Sequence, residues 1–405
     1  MKIRSITVFT NPHWPLEQEA IGKAGAFLDI SQPAFQTAGY EVETARLATV
    51  PFPYIVPELD LRVLTEFAHT LEAEAGTLGY SYVSLGPALP DRPDSYARIP
   101  DLLEATENVF FSGAMTTTQG GVSLPAVQAC AEVIHRTAPL SPNGFANLRF
   151  AALANVSPGA PFFPAAYAGG ELPAFALATE AADLAVEAFT QAKSLAEARM
   201  RLTASLERHA QALVAIAQDL AEQLGLSFGG IDFSLAPFPQ EALSLGTALE
   251  RLGVPAAGLH GSLTAAAILA DTVDQAQFPH AGFSGLMLPV LEDFTLARRA
   301  AGGTLSIKDL LLYSAVCGTG LDTIPLPGDT SSEALAAILL DLAALAQRLD
   351  KPLTARLMPI PGKQAGDATD FDFAYFANSR VMALEARPLS GAFRSSEIFE
   401  LHARK

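Results

Sequence analysis

Along this chain, short apolar runs rich in β-branched and aromatic residues alternate with longer stretches in which apolar residues return every three to four positions. The first pattern predicts strands and the second amphipathic helices. Strands are expected at 3–10, 42–50, 80–85, 109–115, 150–156, 164–168, 231–235, 286–291, 322–325 and 355–360. Helices are expected at 16–39, 58–75, 94–105, 123–137, 179–191, 195–224, 241–252, 264–273, 307–315 and 331–349. Pro33 kinks the first helix and Gly39 stops it, because proline removes a helical N–H and glycine tolerates a left-handed cap. The helix at 123–137 buries Val127, Ala131 and Ile134 through its 3.6-residue period. Near the C-terminus, 355–360 and 371–377 read as an antiparallel hairpin across a turn at 361–367. Strands interleaved with helices throughout predict an α/β domain, a barrel or a doubly wound sheet. No low-complexity linker divides residues 1–405, so one large domain is expected, with the hairpin region at about 353–390.

Composition narrows the partners. Half of the 405 residues are apolar and 17% are charged, enough to build a large core. A net charge of −17 argues against nucleic acid and against anionic membrane surfaces, since phosphates would be repelled. The two cysteines, Cys130 and Cys317, lie far apart and belong to no metal-type cluster. With an N-terminal apolar stretch too short for a signal peptide, and no clean apolar run of roughly 20 residues, a cytoplasmic protein is expected. The alanine-rich helices between 179 and 224 offer a face for a homodimer.

Candidate chemistry is concentrated in Gly-punctuated turns between 228 and 329: Phe228-Gly-Gly-Ile-Asp-Phe-Ser-Leu-Ala-Pro237, Gly258-Leu-His-Gly-Ser262, Gly282-Phe-Ser-Gly285 and Cys317-Gly-Thr-Gly-Leu-Asp322. Glycine permits positive φ and close approach of backbone to a ligand, so repeated glycine turns at element ends point to a composite pocket. His260, between glycines and next to a helix start, is the leading acid, base or hydrogen-bond donor. Asp232 and Ser234 alternate with Ile231, Phe233 and Leu235, so the two polar residues share a face opposite the core. There a carboxylate needs a partner or a metal. Cys317 is the candidate thiol, while Cys130, in mid-helix, reads as core. Thr116, Thr117 and Thr118 precede a glycine pair and a helix, the composition of an anion cradle. Glu292 and Asp293 are weighed as metal ligands, with Asp293 the better helix cap. Arg356 is placed to pair with a substrate carboxylate or with a surface acid. The spacing Gly282-Phe-Ser-Gly285 is too short for a nucleophile elbow, which argues against a serine hydrolase. Neither a metal nor a cofactor is assigned.

In the same order, Gly229-Gly-Ile-Asp-Phe-Ser-Leu-Ala-Pro-Phe-Pro239, Gly258-Leu-His-Gly-Ser262, Gly282-Phe-Ser-Gly-Leu-Met-Leu-Pro289 and Ala315-Val-Cys-Gly-Thr-Gly-Leu-Asp-Thr-Ile-Pro325 resemble signature turns of the DUF711 family, also called UPF0210, a family of uncharacterised proteins. Segments at 108–121 and 355–362 are similar to two further stretches of that family. The resemblance spans roughly residues 100–380 and implies a ten-stranded α/β barrel like that of pyruvate formate-lyase and anaerobic ribonucleotide reductase. Those enzymes store a radical on a C-terminal glycine in an Arg-Val-x-Gly-Tyr loop. Here the nearest match is Arg380-Val-Met-Ala383, so no glycyl-radical chemistry is expected. Family members also carry a cysteine near the position of Phe110 and Phe111, which leaves Cys317 as the remaining thiol.

Two functional expectations follow. The first is an enzyme or enzyme-like protein that binds a small oxygen-rich metabolite in the barrel mouth. His260 would act as acid/base, Asp232 and Asp322 would orient the ligand or hold a metal, and Ser234, Ser262, Ser284, Arg356 and Thr116–Thr118 would bind it. The second is a non-catalytic metabolite-binding or regulatory protein.

Overall fold

The computed structural model describes residues 1–170, 172–316 and 318–403. Its strands are β1 (Lys2–Thr10), β2 (Val42–Thr49), β3 (Tyr82–Ala88), β4 (Val109–Ala114), β5 (Val122–Ser123), β6 (Phe150–Ala154), β7 (Ala174–Glu180), β8 (Ser227–Ala236), β9 (Gly320–Pro327), β10 (Leu353–Ile360) and β11 (Ile398–Phe399). Among the described residues, nine of them form one sheet in the order β8-β7-β1-β2-β3-β4-β6-β10-β9, while β11 pairs with β5. The central block β1-β2-β3-β4-β6 is parallel. β7 runs antiparallel to β1, and β10 antiparallel to β6. β8 and β9 then run parallel to β7 and β10, so both flanks run opposite to the centre.

Both faces of this sheet are buried, as the near-continuous apolar strands require. Ile6, Val8, Ala45, Leu47, Val83, Leu85, Ile231, Phe233 and Leu235 belong to the main core, on the helix-covered side. On the other side Phe9, Ala48, Val50 and Phe110 meet Phe163 and Ala166. Ala151, Leu153 and Ala236 meet Phe162, Phe283 and Met287. Met358 and Ile360 meet Phe371, Phe376 and Val381. Period 2 thus assigns alternate residues of each strand to opposite faces. The longest helix, Leu195–Leu224, buries Ala198, Leu202, Leu206, Ala210, Leu213, Ala217 and Leu220, a stripe at steps of three and four residues. The Ser194 hydroxyl accepts from Glu197 N at its start, and left-handed Gly225 closes its end. No helix of the described residues is long and apolar enough to cross a membrane.

Three expected elements differ. Residues 164–168 form no strand; they lie across the inner face, where Ser84 Oγ donates to Ala166 O at 2.7 Å and Ala168 N donates to Thr49 O at 2.9 Å. The strand here is β7, and the helix expected from 179 begins only at Ala182. Alanine's helical propensity masks the alternation of Phe175 and Leu177 with Ala176 and Ala178, and sheet packing overrides it. At the C-terminus the expected hairpin is not formed. β10 pairs with β6 and β9, and residues 371–377 are a loop whose flanks are tied by Gly366 N to Val381 O and Val381 N to Asp367 O, both 2.9 Å.

The expected strand at 286–291 is also irregular, and it bears on closure. Ile231 N donates to Pro279 O at 2.8 Å, and Ala281 N to Ile231 O at 3.0 Å, on the β8 side. Val290 N donates to Asp322 O at 3.0 Å, on the β9 side. Segment 279–291 therefore touches both edge strands without becoming a regular strand. What stands is a mixed α/β fold with a nine-stranded sheet, not a regular ladder of ten.

Candidate functional site

The inner face holds a cavity of about 80 Å³ into which β1, β2, β3, β4, β7, β8 and β10 all send side chains. Its polar lining comprises Arg4, Glu43, Thr44, Arg46, Thr179, Asp232, Ser234, Glu292 and Arg356. Tyr82, Phe110, Phe162, Phe163, Phe373 and Tyr375 supply aromatic walls.

One wall is an ion network. Arg356 donates from Nε to Asp322 Oδ1 at 2.5 Å and from Nη2 to Asp322 Oδ2 at 2.9 Å, a two-point clamp from β10 to β9. The same Nη2 donates to Glu292 Oε1 at 2.7 Å, and Arg4 Nη2 donates to Glu292 Oε2 at 2.5 Å. All four side chains are buried or nearly so. Burial opposes the Glu292 charge, but Arg356 and Arg4 outweigh it and hold the carboxyl below its ordinary range. Asp322 faces a single guanidinium; burial, aided by the Glu292 charge, pushes its carboxyl up. Arg356 stays above its ordinary value because Asp322 and Glu292 overcome the cost of burial.

A second wall is built around Asp232. Its carboxylate accepts from Ser234 Oγ, from Phe283 N to Oδ2 at 3.0 Å and from Ser284 N to Oδ1 at 3.0 Å. Ser284 Oγ donates to Ile231 O at 3.0 Å and to Ala281 O at 2.9 Å, fastening the turn to β8. Burial raises the Asp232 carboxyl, with these hydrogen bonds opposing the rise.

The third wall carries Arg46 of β2. Its Nε donates to Thr44 Oγ1 at 3.0 Å, and its guanidinium carbon stands 5.2 Å from the Phe163 ring centre and 5.9 Å from that of Tyr82. Among the described residues no carboxylate oxygen lies within 4.0 Å of it. Burial, with the Arg4 charge adding, lowers its pKa to about 10, still cationic at neutral pH. Beside this wall Lys2 Nζ sits 2.7 Å from Glu43 and 3.5 Å from Glu180. Burial and then the Glu43 charge push the Glu180 carboxyl up to about 7, against Lys2 and Arg4.

With this geometry in place, the comparison with known proteins is direct. The family model described as "Uncharacterised ACR (DUF711)" matches residues 1–378. The chain belongs to the DUF711 family. It is similar to a UPF0210 protein of Pyrobaculum arsenaticum, 34% identical over 86% of this chain and 79% of that one. A UPF0210 protein of Acetivibrio thermocellus is 30% identical over 82% and 77%, and one of Neisseria gonorrhoeae 29% over the same shares.

In this DUF711 chain the residues singled out from sequence are not all brought together. Asp232, Ser234 and Arg356 line the cavity, Asp322 stands behind Arg356, and Ser284 supports Asp232. His260 is exposed in the turn before helix Ser262–Gln275 and is not part of the lining. Ser262 is buried, its Oγ accepting from Gly258 N at 3.1 Å, so it closes that turn. Thr116 Oγ1 accepts from Asn155 N at 3.0 Å, Thr117 Oγ1 accepts from Gly121 N at 3.1 Å, and Thr118 is exposed. The expected anion cradle is therefore a turn occupied with its own backbone, away from the cavity. Cys317 lies outside the described residues. Asp293 caps helix Phe294–Ala301, accepting from Thr295 N and Leu296 N at 2.9 Å each. Among the described residues no group of three or more His, Cys, Asp and Glu is placed to hold a metal. The oxygens of Asp232 and Asp322 are taken by N–H and O–H donors instead. Sequence reasoning passed over Arg4, Glu43, Arg46 and Glu180. A signal was present in Thr44-x-Arg46-x-Ala48, which phases a cation onto the face opposite Ala45 and Leu47 in a strand otherwise built for burial.

Proposed function

We propose that this DUF711 protein binds a small oxygen-rich metabolite in the inner-face cavity and acts on it as an enzyme. The observation that carries the reading is the convergence of Arg4, Arg46, Glu43, Asp232 and Arg356, from four strands, and of Glu292, from a turn, on a single cavity. Desolvating that many charges is costly, and apolar packing would be cheaper if the interior served stability alone. Perturbed carboxyls gathered in a cleft are characteristic of functional sites. Asp232, which lines the cavity and whose carboxyl burial raises, is the proton-transfer candidate; His260 drops out of that role because of its place on the surface.

We read the sheet as a barrel in which segment 279–291 occupies the tenth position, so the cavity is its lumen. The parallel bridges Ile231–His280 and Pro289–Asp322, one to each edge strand, support this, as does lining drawn from seven of the nine strands. On this reading the architecture is of the pyruvate formate-lyase type. The reaction is not glycyl-radical chemistry, because Ala383 stands where that chemistry needs glycine.

The test is a metabolite screen by thermal shift, followed by NMR of each stabilising compound incubated with the protein. A hit that stabilises the wild type but not Ser234→Val, and that is converted, supports the enzyme. A hit bound without conversion moves the assignment to the non-catalytic binder. Absence of any hit that responds to the cavity variant sinks the site.

A further inference from the structure

The charges of the cavity can be paired one by one, and the pairing leaves a remainder. Arg356 is matched by Asp322 and Glu292, Arg4 by Glu292, and Glu43 by Lys2. Asp232 is satisfied by two backbone N–H groups and the Ser234 hydroxyl. Arg46 has only Thr44 and the faces of Phe163 and Tyr82, with no carboxylate within 4.0 Å among the described residues. Thr44 holds its Nε, so the guanidinium edge that remains is the one a planar anion would meet. Arg4 stands beside it, while Glu43 and Glu292 act on it only through their charge, without an ionic contact.

Size restricts the partner. At about 80 Å³ the cavity is smaller than the engineered cavity of about 150 Å³ that accepts benzene, which favours a ligand smaller than an aromatic acid. Such a space suits a ligand of only a few non-hydrogen atoms. The aromatic walls favour an apolar remainder on that ligand over a second charge.

We infer that Arg46 is the docking cation of the cavity and that the ligand it takes is a short-chain monocarboxylate. This rests on the reading of the cavity as the ligand site, and narrows it to one chemical class. Arg46 fixes the carboxylate through its planar fork while the short carbon chain lies against Phe110, Phe162 and Phe163.

The experiment uses the full chain and follows binding of acetate and propionate by ligand-observed NMR, with acetamide, benzoate and inorganic phosphate alongside. Acetate and propionate are expected to bind saturably, in the millimolar range as befits so few atoms. Acetamide and benzoate are expected not to bind. Arg46→Met should weaken acetate at least tenfold, and Arg46→Lys should restore part of that loss by keeping the charge without the fork. If Arg46→Met fails to fold, the acetate–acetamide comparison on the wild type and the lysine variant still decide. Acetamide binding as well as acetate, or acetate binding unchanged in Arg46→Met, overturns the carboxylate inference and leaves the cavity reading standing. Phosphate binding in place of acetate also overturns it. If no probe binds and the broader metabolite screen is empty as well, both readings fall together.

Discussion

Gly282 stands against Asp232 so closely that a Cβ on the glycine would overlap the carboxylate Oδ2. The glycine has φ +60°, and the next two backbone N–H groups, of Phe283 and Ser284, both point at that carboxylate. The turn is thus shaped around the buried charge, and the charge is tolerated because the turn supplies donors.

Gly282→Ala is therefore expected to destabilise the protein by about 2–4 kcal/mol, from left-handed strain together with overpacking against Asp232 and Pro161. Gly253→Ala, with positive φ but nothing within 4 Å of the added methyl, should cost only about 1 kcal/mol. Urea denaturation of both variants measures the difference, and equal midpoints would refute the crowding argument.

Asp322→Asn keeps the shape of the Arg356 clamp and removes its charge. Breaking a buried pair typically costs about 3–5 kcal/mol, and the Glu292 contact that Arg356 retains puts the expected loss toward the lower end. Chemical denaturation should show it, and an unchanged stability would mean that Glu292 alone suffices for Arg356.

Glu180 makes stability depend on pH in a direction that can be worked out. Its folded carboxyl is raised to about 7, above the ordinary 4.5, so the folded state keeps a proton that the unfolded chain releases. Stability from this group is full below the ordinary value and declines as pH rises from about 4.5 to 7. Glu180→Gln stays neutral and should gain melting temperature relative to wild type between pH 5 and pH 8. Parallel melting curves for the two proteins across that range would count against the shift.

His260→Ala is expected to leave both stability and ligand binding unchanged, within about 0.5 kcal/mol, as for other exposed side chains. A loss of binding would place the histidine at the site after all.

Sequence patterning was most reliable where the deciding contacts are local. On β8, Asp232 and Ser234 share the face opposite Ile231, Phe233 and Leu235 because side chains in any strand alternate. The helices expected at 123–137 and 331–349 form, and the structure shows Ser123 and Ser331 as their caps, each needing only an oxygen and an N–H three residues on. Patterning failed at β7, where alanine propensity hid a strand, and at segment 279–291, where apolar residues satisfy two neighbours without forming a ladder.

The chain's own pattern determined the alternation of elements, the faces of the strands and the caps, all of which depend on neighbours a few residues away. Tertiary structure alone decided which charges meet. Arg4 and Arg356, near opposite ends of the chain, share Glu292 only because the strand order and segment 279–291 bring them together, while His260, with its flanking glycines, is left in solvent. Pairing energy depends on distance and desolvation, and neither is written in residue spacing.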